Sequence, residues 1–164
     1  MWTNSKKTIN KDCIMAKIRL TKIFHFDTGH ALAGYDGKCR NVHGHSYRLE
    51  VTVMGEPIQD PNHVKFGMVI DFGDLKEIVK KQVIDDYDHA LVLNKNTSYK
   101  EIGDFLEERG HHILLVDFQP TGEMMIQDMA QRIIPHLPAN VELFKLKLYE
   151  TGTSFAEWYA TDQV

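Results

Sequence analysis

Three histidines in the first third of the chain could bind a metal ion. His43 and His45 lie in the segment CRNVHGH (39–45), and His30 precedes it. On an extended strand, residues i and i+2 point to the same face, so His43 and His45 can direct two imidazole nitrogens at one ion. Three neutral imidazoles suit zinc and leave one coordination position open for water or substrate. We predict a zinc site at His30, His43 and His45; the alternative is a pair of ordinary hydrogen-bonding histidines.

Cys39 lies four residues before His43 and is expected to sit near the metal. Positive charge from zinc, or from Lys38 and Arg40, would lower the pKa of its thiol and increase the thiolate fraction available for acid–base chemistry. Two alternatives remain open. Cys39 could be a fourth ligand of a closed structural zinc site, or a small buried thiol without a function.

The pair Asp88-His89 could relay protons, because an aspartate can fix the tautomer of a histidine and stabilise its charged form. The alternative is that this pair lies in an ordinary loop and has no catalytic role.

Glu150 continues an inward-facing row at the end of a strand, formed by Phe144, Leu146 and Leu148. A carboxylate there is costly unless paired, and it could accept two N–H groups from a ligand such as guanine or a pterin. Its alternative is a surface carboxylate.

Alternating and helical patterns define the elements that must position these residues. Strands are predicted at 18–28, 45–54, 141–149 and 155–160. One helix follows Asp71 as its N-cap, and a second follows Thr121, for which capping is the simplest role. A short helix at 99–109 and a short strand at 113–118 look like an insertion. The order predicts an α+β fold: a four-stranded antiparallel sheet with both main helices on one face. Its open edges favour a homo-oligomer.

Composition excludes several classes of protein. The chain has 164 residues, 43% of them hydrophobic, which fits a single globular domain. A net charge of −4 gives no basic field for nucleic acid. The absence of a long apolar run or secretory signal predicts a cytoplasmic protein without a membrane segment. Residues 1–16 form a polar leader that we expect to be disordered and exclude from the fold, with Met15 as an alternative translation start.

The chain resembles the 6-pyruvoyltetrahydropterin synthase family from about Phe24 to Tyr159. The resemblance rests on fragments in the same order: HAL (30–32), CRNVHGHSY (39–47), GMVIDF (67–72), DH (88–89) with LN (93–94), PTGE (120–123) and YET (149–151). The spacing of three residues between Cys39 and His43 resembles that of the bacterial 6-carboxytetrahydropterin synthase branch. The cysteine argues against the family members that carry glutamate there and act toward folate.

This resemblance implies the T-fold over a single pterin-synthase-like domain, residues 17–164. In that fold, subunits join their sheets into barrels, usually trimers that stack into hexamers with sites at the interfaces. It further implies zinc on the three histidines, acid–base roles for Cys39, Asp88 and His89, and pterin contacts from Glu150 and Thr121. The implied enzyme is a lyase that converts 7,8-dihydroneopterin triphosphate to 6-carboxytetrahydropterin, acetaldehyde and triphosphate. A pyruvoyl-forming enzyme and a zinc-stabilised pterin- or purine-binding module are the alternatives.

Overall fold

One mixed β-sheet organises the part of the chain that the structure, a computed structural model, describes, residues 16–163. The strands are β1 (Ile18–His30), β2 (His43–Gly55), β3 (Leu91–Asn94), β4 (Ile113–Val116), β5 (Val141–Tyr149) and β6 (Phe155–Tyr159). Their order across the sheet is β4-β3-β1-β2-β5-β6. The predicted leader lies, up to residue 15, outside the described residues.

The four strands predicted from alternation form the antiparallel part of the sheet, but the predicted strand number was wrong. β3 and β4 extend the sheet from β1, and both run parallel to their neighbours. Each has only four residues. A run this short is hard to distinguish from a loop by periodicity, and parallel strands show near-continuous apolar residues instead of alternation. The segment interpreted as an insertion is therefore partly integral to the sheet.

The helices are α1 (Phe72–Val79), which continues through a π-helical turn (Lys80–Ile84) into α2 (Asp85–Tyr87), then α3 (Tyr99–Glu107) and α4 (Gly122–Ile133). The two main helices, α1 and α4, cover one face of the sheet, as predicted. The short helix α3 packs on the opposite face of β3 and β4, where Gly103 meets Leu93, Ile113 and Leu115. The Asp71 carboxylate caps α1 by accepting a hydrogen bond of 2.6 Å from the amide of Gly73. Leu75 of α1 and Met129 of α4 are buried in the same apolar cluster as Leu49 of β2. No helix within residues 16–163 is long and apolar enough to cross a membrane.

A bulge in β5 changes the predicted inward row. The pairing with β2 shifts so that Thr52 faces Lys145 and Val53 faces Leu143, which leaves Phe144 as the extra residue. Phe144 is consequently not in the core: the guanidinium carbon of Arg19 lies 4.0 Å from its ring centroid. Beyond the bulge, Leu146 and Leu148 are buried as predicted. The extra residue lets Leu143 before the bulge and Leu146 and Leu148 after it all face the core.

Candidate metal centre and active site

The last residue of β1 and the first residues of β2 bring three imidazole rings together. His30 is paired with His43 in the β1–β2 ladder, and His45 is paired with Thr28. The ring centroids are 4.5 Å apart for His30 and His43, 5.3 Å for His30 and His45, and 5.0 Å for His43 and His45. One nitrogen from each ring lies within 4.8 Å of the other two. The predicted three-histidine cluster is therefore formed by a single strand register.

Hydrogen bonds to backbone carbonyls orient two of these rings. His30 Nδ1 donates to Pro120 O at 2.7 Å, and His43 Nδ1 donates to Asn41 O at 2.8 Å. A proton on Nδ1 leaves the lone pair on Nε2, which is the tautomer that binds a metal. Burial lowers the pKa of His30, which favours the neutral ring that a metal binds. All three Nε2 atoms are buried without a hydrogen-bond partner among residues 16–163, so the donor set fits zinc.

Glu150 lies beside this cluster, at the start of the loop between β5 and β6. Its Oε1 is 3.3 Å from His45 Nε2, although the two atoms lack hydrogen-bond geometry. Its other carboxylate oxygen faces the beginning of α4, since a Cβ atom on Gly122 would lie 3.4 Å from Oε2. Thr121 caps that helix by accepting a hydrogen bond from the amide of Met124 at 3.4 Å. The structure thus brings Glu150 and the capping residue Thr121 to the histidine cluster.

Cys39 lies in a 3₁₀ turn (Lys38–Arg40) between β1 and β2. Three successive carbonyls around it accept hydrogen bonds. Cys39 O accepts from the amide of Leu32 at 2.9 Å, Arg40 O from the hydroxyl of Tyr99, and Asn41 O from His43. The thiol is half-buried, and it is not part of the metal-binding group found in the described residues. This geometry does not favour the closed four-ligand site.

Asp88 and His89 follow α2 and are not gathered with the histidine cluster within one chain. Asp88 Oδ1 lies 2.9 Å from His89 Nδ1 and accepts a hydrogen bond of 3.1 Å from the amide of Asp27. His89 adopts a positive φ of 61°, which is uncommon for a non-glycine residue. It shares a shallow cleft with Asp27 and Ser46. Asp27 alternates with the buried Thr28, so this cleft is on the face of β1–β2 opposite to the ligand rings.

Tyr47 was not among the residues predicted for the site. The structure buries it completely beside the cluster, where its ring centroid lies 5.7 Å from that of His45. Burial raises the pKa of Tyr47, and the negative charges of Glu150 and Cys39 add to the effect. The available signal was its position, because residues 43, 45 and 47 share one face of the strand.

Comparisons with known proteins show which family the chain resembles. The family model for 6-pyruvoyl tetrahydropterin synthase matches residues 19–161. The 6-carboxy-5,6,7,8-tetrahydropterin synthase of Haemophilus influenzae is 37% identical over 141 residues, covering 85% of this chain and 97% of that protein. The enzyme of the same name from Aquifex aeolicus is 31% identical, covering 87% and 98%.

Solved structures share the fold. The uncharacterised protein WS1659 of Wolinella succinogenes superimposes with a TM-score of 0.71 at 20% identity, covering 88% of this chain and 99% of that one. The 6-pyruvoyl tetrahydropterin synthase of Caenorhabditis elegans gives a TM-score of 0.58 at 23% identity, covering 89% and 97%. The predicted α+β T-fold is confirmed. The chain belongs to the 6-pyruvoyl tetrahydropterin synthase family.

Proposed function

We propose that the protein is a zinc-dependent 6-carboxy-5,6,7,8-tetrahydropterin synthase, a cytoplasmic lyase. It converts 7,8-dihydroneopterin triphosphate to the carboxylated pterin, acetaldehyde and triphosphate, a step of 7-deazapurine (queuosine) biosynthesis. The observation that carries the proposal is the convergence of three buried imidazole Nε2 atoms beside the carboxylate of Glu150. Relatives of this name at up to 37% identity support it.

In this proposal, His30, His43 and His45 hold the zinc ion through Nε2. Bound there, zinc supplies Lewis-acid chemistry by lowering the pKa of hydroxyl groups on the substrate side chain. The protein's contribution is orientation. Two of the rings are fixed by carbonyls of Pro120 and Asn41, and such supporting hydrogen bonds set both the tautomer and the direction of the lone pair.

Glu150 is the proposed anchor of the pterin ring. An ionised carboxylate can accept two parallel N–H bonds, and the amino-pyrimidinone edge of a pterin offers two adjacent donors. Glu150 lies between His45 and the start of α4. A pterin ring bound to it would lie next to the metal, with the substrate side chain over the metal. Thr121, at the same helix start, is a proposed second contact to the ring.

Cys39 is the proposed group that moves protons at the substrate carbon next to the ring. A thiolate is the reactive form, and positive charge nearby increases its population. Lys38 and Arg40 flank Cys39 in the chain and are both exposed, so their charges are proposed to favour the thiolate and to meet the triphosphate. Hydrogen bonds to the carbonyls of residues 39–41 support a fixed position for the thiol.

Asp88 and His89 are the proposed second acid–base pair, acting across a subunit interface. Within one chain they lie on the opposite face of β1–β2 from the imidazoles, and the side chain of His89 is 77% exposed. A second copy could present this pair to the cluster. β4 and β6 are the outer strands of the sheet, so barrel formation through these edges, as in a dimer of trimers, would bring copies together.

Two alanine variants test the proposed roles. Cys39→Ala should retain one zinc per chain and lose turnover, whereas His43→Ala should lose both. Zinc content measured by atomic emission on the purified variants, alongside product formation, separates the roles. Equal zinc loss in Cys39→Ala would instead support a structural four-ligand site.

A mixing experiment tests the interface. Cys39→Ala and His89→Ala are each expected to be inactive alone. Mixed subunits that have exchanged should regain part of the wild-type activity, because some interfaces then combine an intact Cys39 with an intact His89. Mixed oligomers that stay inactive would contradict a shared site.

Two other functions remain as competing proposals. A pyruvoyl-forming enzyme would release triphosphate without acetaldehyde. A zinc-stabilised binding module would bind a pterin or purine without turnover. The carboxy-forming reaction is preferred because relatives named for it match this chain over 97% and 98% of their own length.

A further inference from the structure

The hydroxyl group of Tyr47 has no hydrogen-bond partner among residues 16–163, although it is buried. Only four buried side-chain atoms of the described chain share this property, and the other three are the Nε2 atoms of His30, His43 and His45. All four belong to one cluster, because the ring of Tyr47 lies 5.7 Å from that of His45 and 6.3 Å from that of His30. An unpaired buried hydroxyl is costly, so this position requires an explanation.

Tyr87 shows what a structural tyrosine looks like in the same core. It is equally buried, and both tyrosine rings pack against Phe26. The Tyr87 hydroxyl, however, donates a hydrogen bond of 2.8 Å to Asp128. Phenylalanine at position 47 would keep the stacking on Phe26 at a centroid distance of 5.4 Å without burying an unpaired polar group. Packing therefore accounts for the ring of Tyr47 but not for its hydroxyl.

The surroundings of Tyr47 indicate what its hydroxyl meets. It follows His43 and His45 on the same face of β2, so its side chain continues the row that faces the cluster. Glu150 borders the same cluster, because its Oε1 lies 3.3 Å from Nε2 of His45. Glu150 is the proposed anchor of the pterin ring, and the histidines are the proposed metal ligands. The ring of Tyr47 therefore borders the proposed substrate position, 5.7 Å from the ring of His45.

We propose that Tyr47 is a substrate-contacting residue whose hydroxyl donates a hydrogen bond to an oxygen atom of the substrate side chain. The inference rests on the proposed function and adds to it a hydrogen-bond donor for the substrate side chain. A neutral phenol donates more strongly to an oxygen that carries negative charge than to a neutral hydroxyl. The bond therefore strengthens as the substrate oxygen loses its proton, which lowers the barrier of the chemical step.

Tyr47→Phe tests the proposal, with Tyr87→Phe as the matched control. Both changes remove one buried hydroxyl, but only the control removes a described hydrogen bond. Tyr47→Phe should retain one zinc per chain, lose about tenfold or more in kcat/KM, and leave the Tm of the metal-free protein unchanged or higher. Tyr87→Phe should retain kcat/KM and lower the Tm by about 2–4 °C.

Two results would overturn the proposal. A fall in Tm for Tyr47→Phe as large as that of the control would mean that its hydroxyl is paired within the protein. A kcat/KM within about twofold of the wild type would mean that it does not touch the substrate in the transition state. The Tm comparison uses no substrate, so it still tests the hydroxyl if the wild type shows no turnover, which would contradict the proposed function instead.

Discussion

Gly44 lies between two proposed zinc ligands and faces the backbone of β1 at close range. A Cβ atom added there would lie 3.0 Å from Thr28 O, 3.4 Å from Gly29 Cα and 3.5 Å from the carbonyl carbon of Thr28. The first distance is shorter than ordinary van der Waals contact, and all three atoms are backbone atoms that cannot turn away. Gly44→Ala should therefore push β1 and β2 apart by a few tenths of an ångström.

The cluster depends on the spacing of these two strands, because His30 comes from β1 and His43 from β2. Metal–ligand distances tolerate only about 0.2 Å, so a displacement of this size should disturb coordination. We expect Gly44→Ala to weaken zinc binding about 10- to 100-fold, the range seen when groups supporting metal ligands are removed. That range corresponds to about 1.4–2.8 kcal/mol.

Competition with a chromophoric zinc chelator measures this affinity directly. Gly29→Ala is the matched control on the opposite strand: its Cβ would meet His43 O and the flexible Leu91 side chain, both at 3.4 Å. We expect the control to bind zinc within about threefold of the wild type, because the contact is ordinary and one neighbour can move. Wild-type affinity in a folded Gly44→Ala variant, or an equal loss in both variants, would refute the reasoning.

Three further predictions concern groups around the cluster. Glu150→Gln should retain zinc but weaken pterin binding about 10- to 100-fold in a fluorescence titration, because hydrogen bonds to a charged group are lost. Burial lowers the pKa of His30 in the folded metal-free protein. Below about pH 6.5, His30 therefore binds a proton more readily in the unfolded chain than in the folded one, which lowers the free energy of unfolding. Urea unfolding should thus show lower stability at pH 5.5 than at pH 7.5, and a flat profile would contradict this. Tyr99→Phe should loosen the Cys39 turn and raise alkylation of that thiol severalfold by peptide mass analysis, whereas Tyr35→Phe, which removes no described hydrogen bond, should not.

The histidine cluster could be predicted from the sequence because its geometry is local. Alternation along β2 places His43 and His45 on one face, and antiparallel pairing of neighbouring strands brings in His30. The helix starts were equally predictable, since Asp71 and Thr121 are residues that accept hydrogen bonds from a first helical turn. These features depend on a few adjacent residues and on one strand pair.

Other features depend on contacts that no local pattern encodes. The bulge that moves Phe144 out of the core follows from the pairing of β5 with β2. The position of Asp88 and His89 on the far face of the sheet depends on how the chain returns to β1 after α2. The unpaired hydroxyl of Tyr47 appears only when its complete surroundings are known, since the sequence gives no sign that its partner is missing.

Product analysis of the reaction with 7,8-dihydroneopterin triphosphate tests the central claim most directly. Metal-free protein should be loaded stepwise with zinc, and acetaldehyde and the pterin product should be measured in the same samples. We predict that acetaldehyde and 6-carboxytetrahydropterin form in equal amounts and that their rate rises until one zinc is bound per chain. A pyruvoyl pterin without acetaldehyde would assign the protein to the other branch, and tight zinc binding without any product would contradict an enzymatic role.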